Sequence, residues 1–466
     1  MNLHYLTNAS GAKAARWLLL LCKKAASKPA KYRKPKPVGL VTPCVVGLCG
    51  IALISSVHAA SAQSNPNSSV QWLASYTGES ATNISGGMER GSAYAGQLFI
   101  GADINLQPAL DWDNTVVHVA FTNRHGKSLA QTHIGNSTSV QEIYGGQNSR
   151  LTRFSIETTL LDGQLELEAG RTVANISFLG SQLCQYFQTN AACGNPTFVF
   201  RTSNFSWWPV SSWGGRAKYW LSSKVYLHAG VYEENSAFQD AGDHGFNWST
   251  KDSTGVVAPV TLGYQTSWET DRYPKKYEVG GWYDSTDYDD PLIDDEDQPA
   301  VISGKAYAPQ NGRSGIFTRF EQVVSRPDSQ TRRSLTVFGN ALTGLSGEST
   351  EDYYLNAGLV KRGTFAGRDD DTIGFVITYQ HYSDEALENQ RLARAANGGV
   401  GTPASSQTMM ELSYGVQVND HIRIQPNVHY IINPDQFSEP GRTQDLADAW
   451  VVGMRFDVDL AGLLLQ

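Results

Sequence analysis

The chain has 466 residues, with 37 Lys and Arg against 45 Asp and Glu, and 11% aromatic side chains. An acidic balance makes a poor partner for nucleic acid. The length argues for two or three ordinary domains unless one large barrel takes up the whole, and no Pro-rich, Ser-rich or charge-run linker divides 70–460, so one unit is expected.

The first 62 residues carry nine Lys or Arg and no acid, followed by a mostly apolar run from Val38 to Val57 and then Ala60-Ser61-Ala62, the pattern of a cleaved secretory signal. Its basic stretch is long for such a leader. Removing it leaves 466 − 62 = 404 residues, with 37 − 9 = 28 basic and 45 acidic side chains, a formal charge of −17. The expected organisation is a leader at 1–62, a linker at 63–69, a barrel at 70–460 and a tail at 461–466. Cys22, Cys44 and Cys49 leave with the leader. Cys184 and Cys193 remain, and an even pair in an exported chain reads as a disulfide. Closing so small a loop contributes roughly 2–3 kcal/mol. A cysteine-rich metal site is excluded, and no metal or cofactor is expected.

No stretch after the leader reaches the roughly 18 apolar residues of a membrane helix. A chain without such a stretch crosses a membrane only as a closed barrel, because every backbone polar group in lipid needs an internal partner. The sequence carries that pattern. Segments of alternating polarity fall near 70–77, 92–104, 113–123, 150–160, 163–171, 214–221, 224–232, 255–268, 276–284, 313–323, 332–341, 352–361, 371–381, 408–418, 421–432 and 446–458. The fold class is therefore all-β, a transmembrane antiparallel β-barrel of about 16 strands. Links between segments alternate between short and mostly much longer, the habit of barrels with short periplasmic turns and long external loops. Two links of the longer set, 78–91 and 342–351, are less clearly long, and 196–202 is a candidate short strand outside the sixteen.

The polar faces of these segments would line a pore, since sixteen strands leave an aqueous channel. On 150–160, Phe154, Ile156, Thr158 and Leu160 face outward, and Arg153, Ser155, Glu157 and Thr159 inward. On 163–171, Glu166 and Glu168 face inward with Arg171 at the end. Arg216 and Lys218 share one face of 214–221. The candidate lumen contacts are Arg150, Arg153, Glu157, Glu166, Glu168, Arg171 and Arg216. The longest link, 172–213, adds Trp207, Trp208 and Trp213, whose faces suit the C–H faces of sugar rings if the loop folds into the mouth; the alternative for each is a place in the girdle or packing of the loop against the wall. Trp220, Tyr283, Tyr379, Tyr430 and Trp450, near strand ends, are expected in the interface girdles.

The acidic stretch 284–297 reads as a solvated external loop without the glycine and spacing of a helix-loop-helix calcium site. Gly398-Gly399-Val400-Gly401 reads as a flexible loop, and His118, His228 and His429 as lone residues on polar faces. Glu166 and Glu168 lie roughly 7 Å apart along a strand, but any acidic amphipathic strand gives such a pair. With no G-x-S-x-G or H-E-x-x-H motif, no enzyme is expected.

Several runs resemble one family. Tyr76-Thr77-Gly78-Glu79, Tyr94-Ala95-Gly96-Gln97-Leu98, Asp103-Ile104-Asn105-Leu106 and Ile134-Gly135-Asn136 are similar to the first part of the carbohydrate-selective porins of the OprB type. Gly170-Arg171, Cys184-Gln185-Tyr186-Phe187, Cys193-Gly194-Asn195-Pro196, Trp208-Pro209, Trp213-Gly214 and Gly230-Val231-Tyr232-Glu233 continue the resemblance, with Ile424-Gln425-Pro426 and Ile432-Asn433-Pro434 late in the chain. It implies a Gram-negative outer-membrane channel for neutral sugars such as glucose, with Arg, Glu and aromatic side chains at a constriction. The expected partners are small sugars and outer-membrane lipid, and the expected state is a monomer or homotrimer. A general porin, an outer-membrane barrel enzyme and a soluble exported sugar-binding or sugar-cleaving β protein are the alternatives. Barrels of this kind usually end on an aromatic residue, whereas this chain runs past Phe456 to Gln466.

Overall fold

The computed structural model describes residues 69–193, 196–328 and 330–465. The expected leader lies outside them. Sixteen antiparallel strands close into one barrel. They are β1 (Val70–Gly87), β2 (Gly91–Asn105), β3 (Thr115–Gly126), β4 (Ser149–Leu160), β5 (Leu165–Thr172), β6 (Ser212–Trp220), β7 (Val225–Glu234), β8 (Gly255–Gln265), β9 (Lys275–Asp294), β10 (Tyr307–Ser325), β11 (Ser334–Ser346), β12 (Glu351–Arg362), β13 (Thr372–Tyr382), β14 (Ser406–Asn419), β15 (Ile422–Ile432) and β16 (Ala447–Asp459). β1 closes the barrel against β16, with Thr77 opposite Asp457 and Gly78 opposite Phe456.

Alternation decides which side of the wall each residue takes. Leu412 is 49% exposed, while its neighbours Glu411 and Ser413 are buried. Ile100 and Phe121 are likewise exposed beside buried Gln97 and Arg124. Polar groups inside and apolar groups outside invert the pattern of a water-soluble core, and only a hydrocarbon exterior stabilises that arrangement.

The short links 161–164, 221–224 and 420–421 share one end of the barrel with both strand termini. The opposite end carries 127–148, 173–211, 235–254, 383–405 and 433–446. It also holds two tight links, 88–90 and 347–350, where the strands run further than alternation indicates. The first needs Gly86 and Gly87 at φ +75° and +63°, and a Cβ on Gly86 would lie 1.8 Å from the Asp448 carbonyl oxygen.

Two sequence expectations change, and one link gains an element. Segment 196–202 is helical, Pro196–Thr202, its β-branched and aromatic residues overruled by tertiary packing. The acidic stretch is mostly the outer part of β9 paired with β10, not a free loop. Asp284, Asp290 and Asp294 are buried there, and Asp290 accepts the Leu292 and Ile293 N–H groups at 2.9 Å. Among the described residues no three of His, Cys, Asp or Glu gather as a metal site. Finally, the long link before Gly398 contains the helix Asp384–Ala396, capped by the Ser383 hydroxyl on the Ala386 N–H, with acids in its first turn and Arg394 in its last.

Candidate functional site

The segment 173–211 leaves β5 and returns to the adjacent β6, yet it contacts the far wall. Glu411 on β14 accepts the backbone N–H groups of Gln188 and Thr189 at 2.8 and 2.7 Å. Ser413 Oγ donates to the Tyr186 carbonyl at 2.6 Å, and Asn427 Nδ2 on β15 donates to Gln188 Oε1 at 2.8 Å. Tyr354 on β12 donates to the Ala191 carbonyl. The segment therefore crosses the lumen, and the inward polar face of the wall satisfies its buried backbone. Phe178, Phe198 and Phe205 wedge it against Trp282, Phe317, Leu342 and Tyr354 of β9–β12. Cys184, on this segment, is disulfide-bonded; the side chain of its expected partner, Cys193, lies outside the described residues. The link 127–148 also turns inward, with Glu142 N–H on the Gln188 carbonyl at 2.8 Å and Gln141 Nε2 on the Glu79 carbonyl at 3.0 Å.

Charged clusters line what remains. On β4–β6, Glu168 accepts Arg153 NH2 at 2.6 Å and Arg216 Nε at 2.9 Å, and Arg216 NH2 reaches Glu157 at 2.8 Å. His118 is not alone but 2.6 Å from Asp103 and 3.7 Å from Glu157. On β9–β10, Glu278 meets Lys276 at 3.2 Å and Arg319 at 3.0 Å, and Arg319 also meets Glu321 at 2.9 Å. On β16, Arg455 meets Glu79 at 3.0 Å, Asp457 at 3.1 Å and Glu142 at 3.6 Å. Cations and carboxylates stand within a few ångströms of one another in each cluster, evenly matched on β9–β10 and with carboxylates in excess around Arg455, so the walls offer both strong donors and strong acceptors. That chemistry suits an uncharged, polyhydroxylated solute.

Of the residues singled out in the sequence, Arg153, Glu157, Glu168 and Arg216 come together as one cluster, with Glu166 at 3.8 Å from Arg216. Arg171 departs from it. Register places it between Phe154 and Trp213, on the outward face, because positions 165, 167, 169 and 171 alternate with the inward glutamates. There it is buried under the link 235–254, donating to the Asn247 and Ser211 carbonyls, with its guanidinium 4.0 Å from the Phe238 ring. Arg150 donates to the Phe238 carbonyl of the same link at 3.0 Å.

The tryptophans separate too. Trp208 is buried on the inner wall, its indole N–H 3.2 Å from Gln97 Oε1 and its ring 6.0 Å from Phe99. Trp207 is half-buried beside it, and Trp213 faces outward onto Trp248. Trp220, expected in a girdle, instead donates to Glu166 at 2.9 Å and carries Lys218 Nζ at 4.4 Å over its ring. His228 stacks on Phe178 at 4.0 Å, and His429 lies 3.6 Å from Glu411. Glu79, Glu278, Arg319, Glu411 and Arg455 were missed in the sequence. Their inward alternation was visible, but nothing local told them apart from other polar lumen positions.

A family model for carbohydrate-selective porins, the OprB family, matches residues 89–460. The chain belongs to the OprB family. It is 29% identical over 459 residues to Porin B of Pseudomonas aeruginosa, covering 91% of this chain and 98% of that one. It is 25% identical over 404 residues to the putative porin QuiX of Acinetobacter baylyi, covering 82% and 88%. The solved OprB of Pseudomonas putida at high pH superposes with a TM-score of 0.76 at 27% identity, covering 84% of this chain and 94% of that one. This OprB-family porin is thus a carbohydrate channel of the Gram-negative outer membrane. Its family is one of channels, not of enzymes.

Proposed function

We propose that small neutral sugars the size of glucose diffuse passively past the inserted segment 173–211, touching Arg153, Glu157, Glu166 and Arg216 on the way, with the buried Glu168 holding the two arginines in place. The observation that carries this reading is the Arg153–Glu168–Arg216 chain, in which one carboxylate sits between two guanidiniums. Sugar hydroxyls both donate and accept, so they exchange hydrogen bonds with such a chain without the loss an ion pays on entering a neutralised wall. Net transport needs no energy source, because the path is a pore with weak sites along it. The leader 1–62 is proposed to direct export, with cleavage after Ala62, which N-terminal sequencing of the membrane-extracted protein checks.

The decisive measurement is conductance in planar bilayers. Added glucose is expected to reduce the ion current in a concentration-dependent way. Pores indifferent to every mono- and disaccharide tried would defeat the proposal and leave a channel without a sugar site.

A further inference from the structure

Arg201 sits on the returning leg of the inserted segment, in the helix Pro196–Thr202. Its NH1 lies 2.5 Å from Glu351 Oε1 at the outer end of β12, and its NH2 lies 3.7 Å from Asp435 Oδ2 on the external link 433–446. Both carboxylate side chains are fully buried. Asp435 also accepts the Ser137 N–H at 3.2 Å and the Ser137 hydroxyl at 2.6 Å, which brings in the link 127–148.

Around this pair runs a set of linked amides. Gln380 donates to Glu351 at 3.3 Å and accepts from Gln407 at 2.8 Å; Gln407 in turn accepts Asn136 Nδ2 at 3.1 Å and the Asp435 N–H at 2.9 Å. Phe437 lies 5.3 Å under the Arg201 guanidinium and edge-on to Tyr382 at 4.7 Å. Three external-end segments and three strands are therefore linked around one guanidinium, which itself touches Glu351, Asp435 and Phe437. The inserted segment touches the link 433–446 through that group.

We propose that Arg201 and Asp435 are positioning residues that set the width of the channel, the link 433–446 holding the inserted segment through their contact. The inference rests on the reading that this segment narrows a sugar path. Removing Arg201 leaves the buried Glu351 and Asp435 carboxylates without their counterion, a larger penalty than the net worth of the pairs, whereas neutralising Asp435 leaves the guanidinium on Glu351 of β12 but frees it from the link 433–446. In either case the link no longer holds the returning leg, which loosens over the channel. Because Asp435 acts on the inserted segment through Arg201, losing both adds little to losing Arg201 alone.

The test compares R201Q, D435N, the double variant and R201K with the unaltered protein in proteoliposomes and planar bilayers. The readout is the swelling rate with a trisaccharide relative to a monosaccharide, with single-channel conductance alongside. Each single neutral variant is expected to raise that ratio roughly twofold or more, as pore diameter governs exclusion. The double variant should not exceed the larger single effect, and R201K should return the ratio towards the starting value. Unchanged ratios in R201Q and D435N, or effects that add, would overturn the assignment. Unheated gel mobility checks that each barrel has folded. If R201Q does not fold, D435N, which keeps the side-chain shape, carries the comparison. Block of the unaltered channel by glucose reports on the sugar path separately, so the two readings fail independently.

Discussion

Glu168 on β5 holds Arg216 on β6 at 2.9 Å through one carboxylate oxygen, and its other oxygen is already taken by Arg153 at 2.6 Å. Ser155 Oγ adds a donor at 2.7 Å. The carboxylate side chain is 1% exposed, against 7% and 11% for the two arginines. The buried partner is thus the anion, and the cations present their remaining N–H groups to the channel.

Substituting Glu168→Gln keeps the shape and removes that anion. Breaking one side of a buried pair costs about 3–5 kcal/mol in a soluble core, but here the barrel ladder persists and the two guanidiniums relax towards the lumen. The expected result is a shift of the reversal potential towards anion selectivity in a salt gradient, with sugar block weakened several-fold. An unchanged reversal potential would show that the cluster does not face the ion path.

Much of this is legible in the sequence. The sixteen segments stand where period-two alternation put them, because a wall with lipid outside and water inside imposes that period on each strand without help from its neighbours. The outer ends were not legible. Asp287 and Asp289 have low strand propensity, yet they stand in β9 opposite Asn311 and Pro309 of β10, and Asn311 Nδ2 bonds Asp287 at 2.6 Å. Nor was the crossing segment legible, since Glu411 finds Gln188 across 223 residues of chain. Alternation names the face of a strand, not the loop that comes to rest against it.

A pH effect is expected at the periplasmic turn before β13. Asp371 is buried, which pushes its carboxyl up, but Arg368 donates to it at 2.8 and 2.7 Å, with Tyr414 Oη and the Gln417 N–H at 2.7 and 3.0 Å, and these bonds hold it below the usual carboxylate range. A depressed folded-state value means that the stabilisation is complete above the unfolded value, about pH 3.9, and disappears as pH falls through the folded one. Melting of the detergent-solubilised barrel should separate wild type from Asp371→Asn at pH 6 and bring the two together as the solution is acidified below pH 4. A gap that widens on acidification would contradict this.

Cys184→Ser tests how far the disulfide matters. The inserted segment is held by Glu411, Ser413 and Asn427 independently of it. Loss of the cross-link is expected to lower the melting temperature only modestly, in line with the roughly 2–3 kcal/mol of a short loop. Open-channel noise should rise while the barrel stays intact on unheated gels. A chain unable to form a barrel would show that the cross-link does more than pin the loop.

Trp213 and Trp208, five residues apart, should respond oppositely. Trp213 faces outward on the far side of Arg171 from exposed Phe154, with its ring edge-on to Trp248 at 5.8 Å and its N–H on the Trp248 carbonyl at 3.2 Å. Trp248 in turn stacks on Phe154 at 5.6 Å. An indole with an apolar body against the wall and a bonded N–H belongs at the membrane interface, not at a sugar site. Trp213→Phe is therefore expected to remove part of the fluorescence that brominated lipids quench and to leave sugar block unchanged. Trp208→Phe, which loses the Gln97 contact beneath the inserted segment, should leave lipid quenching alone and alter the sugar-dependent current instead. If Trp213→Phe abolished sugar block, the outward placement of that ring would be wrong, and the alternation that runs from Leu165 to Arg171 and across to β6 would have to slip by one residue, turning Glu166 and Glu168 towards lipid.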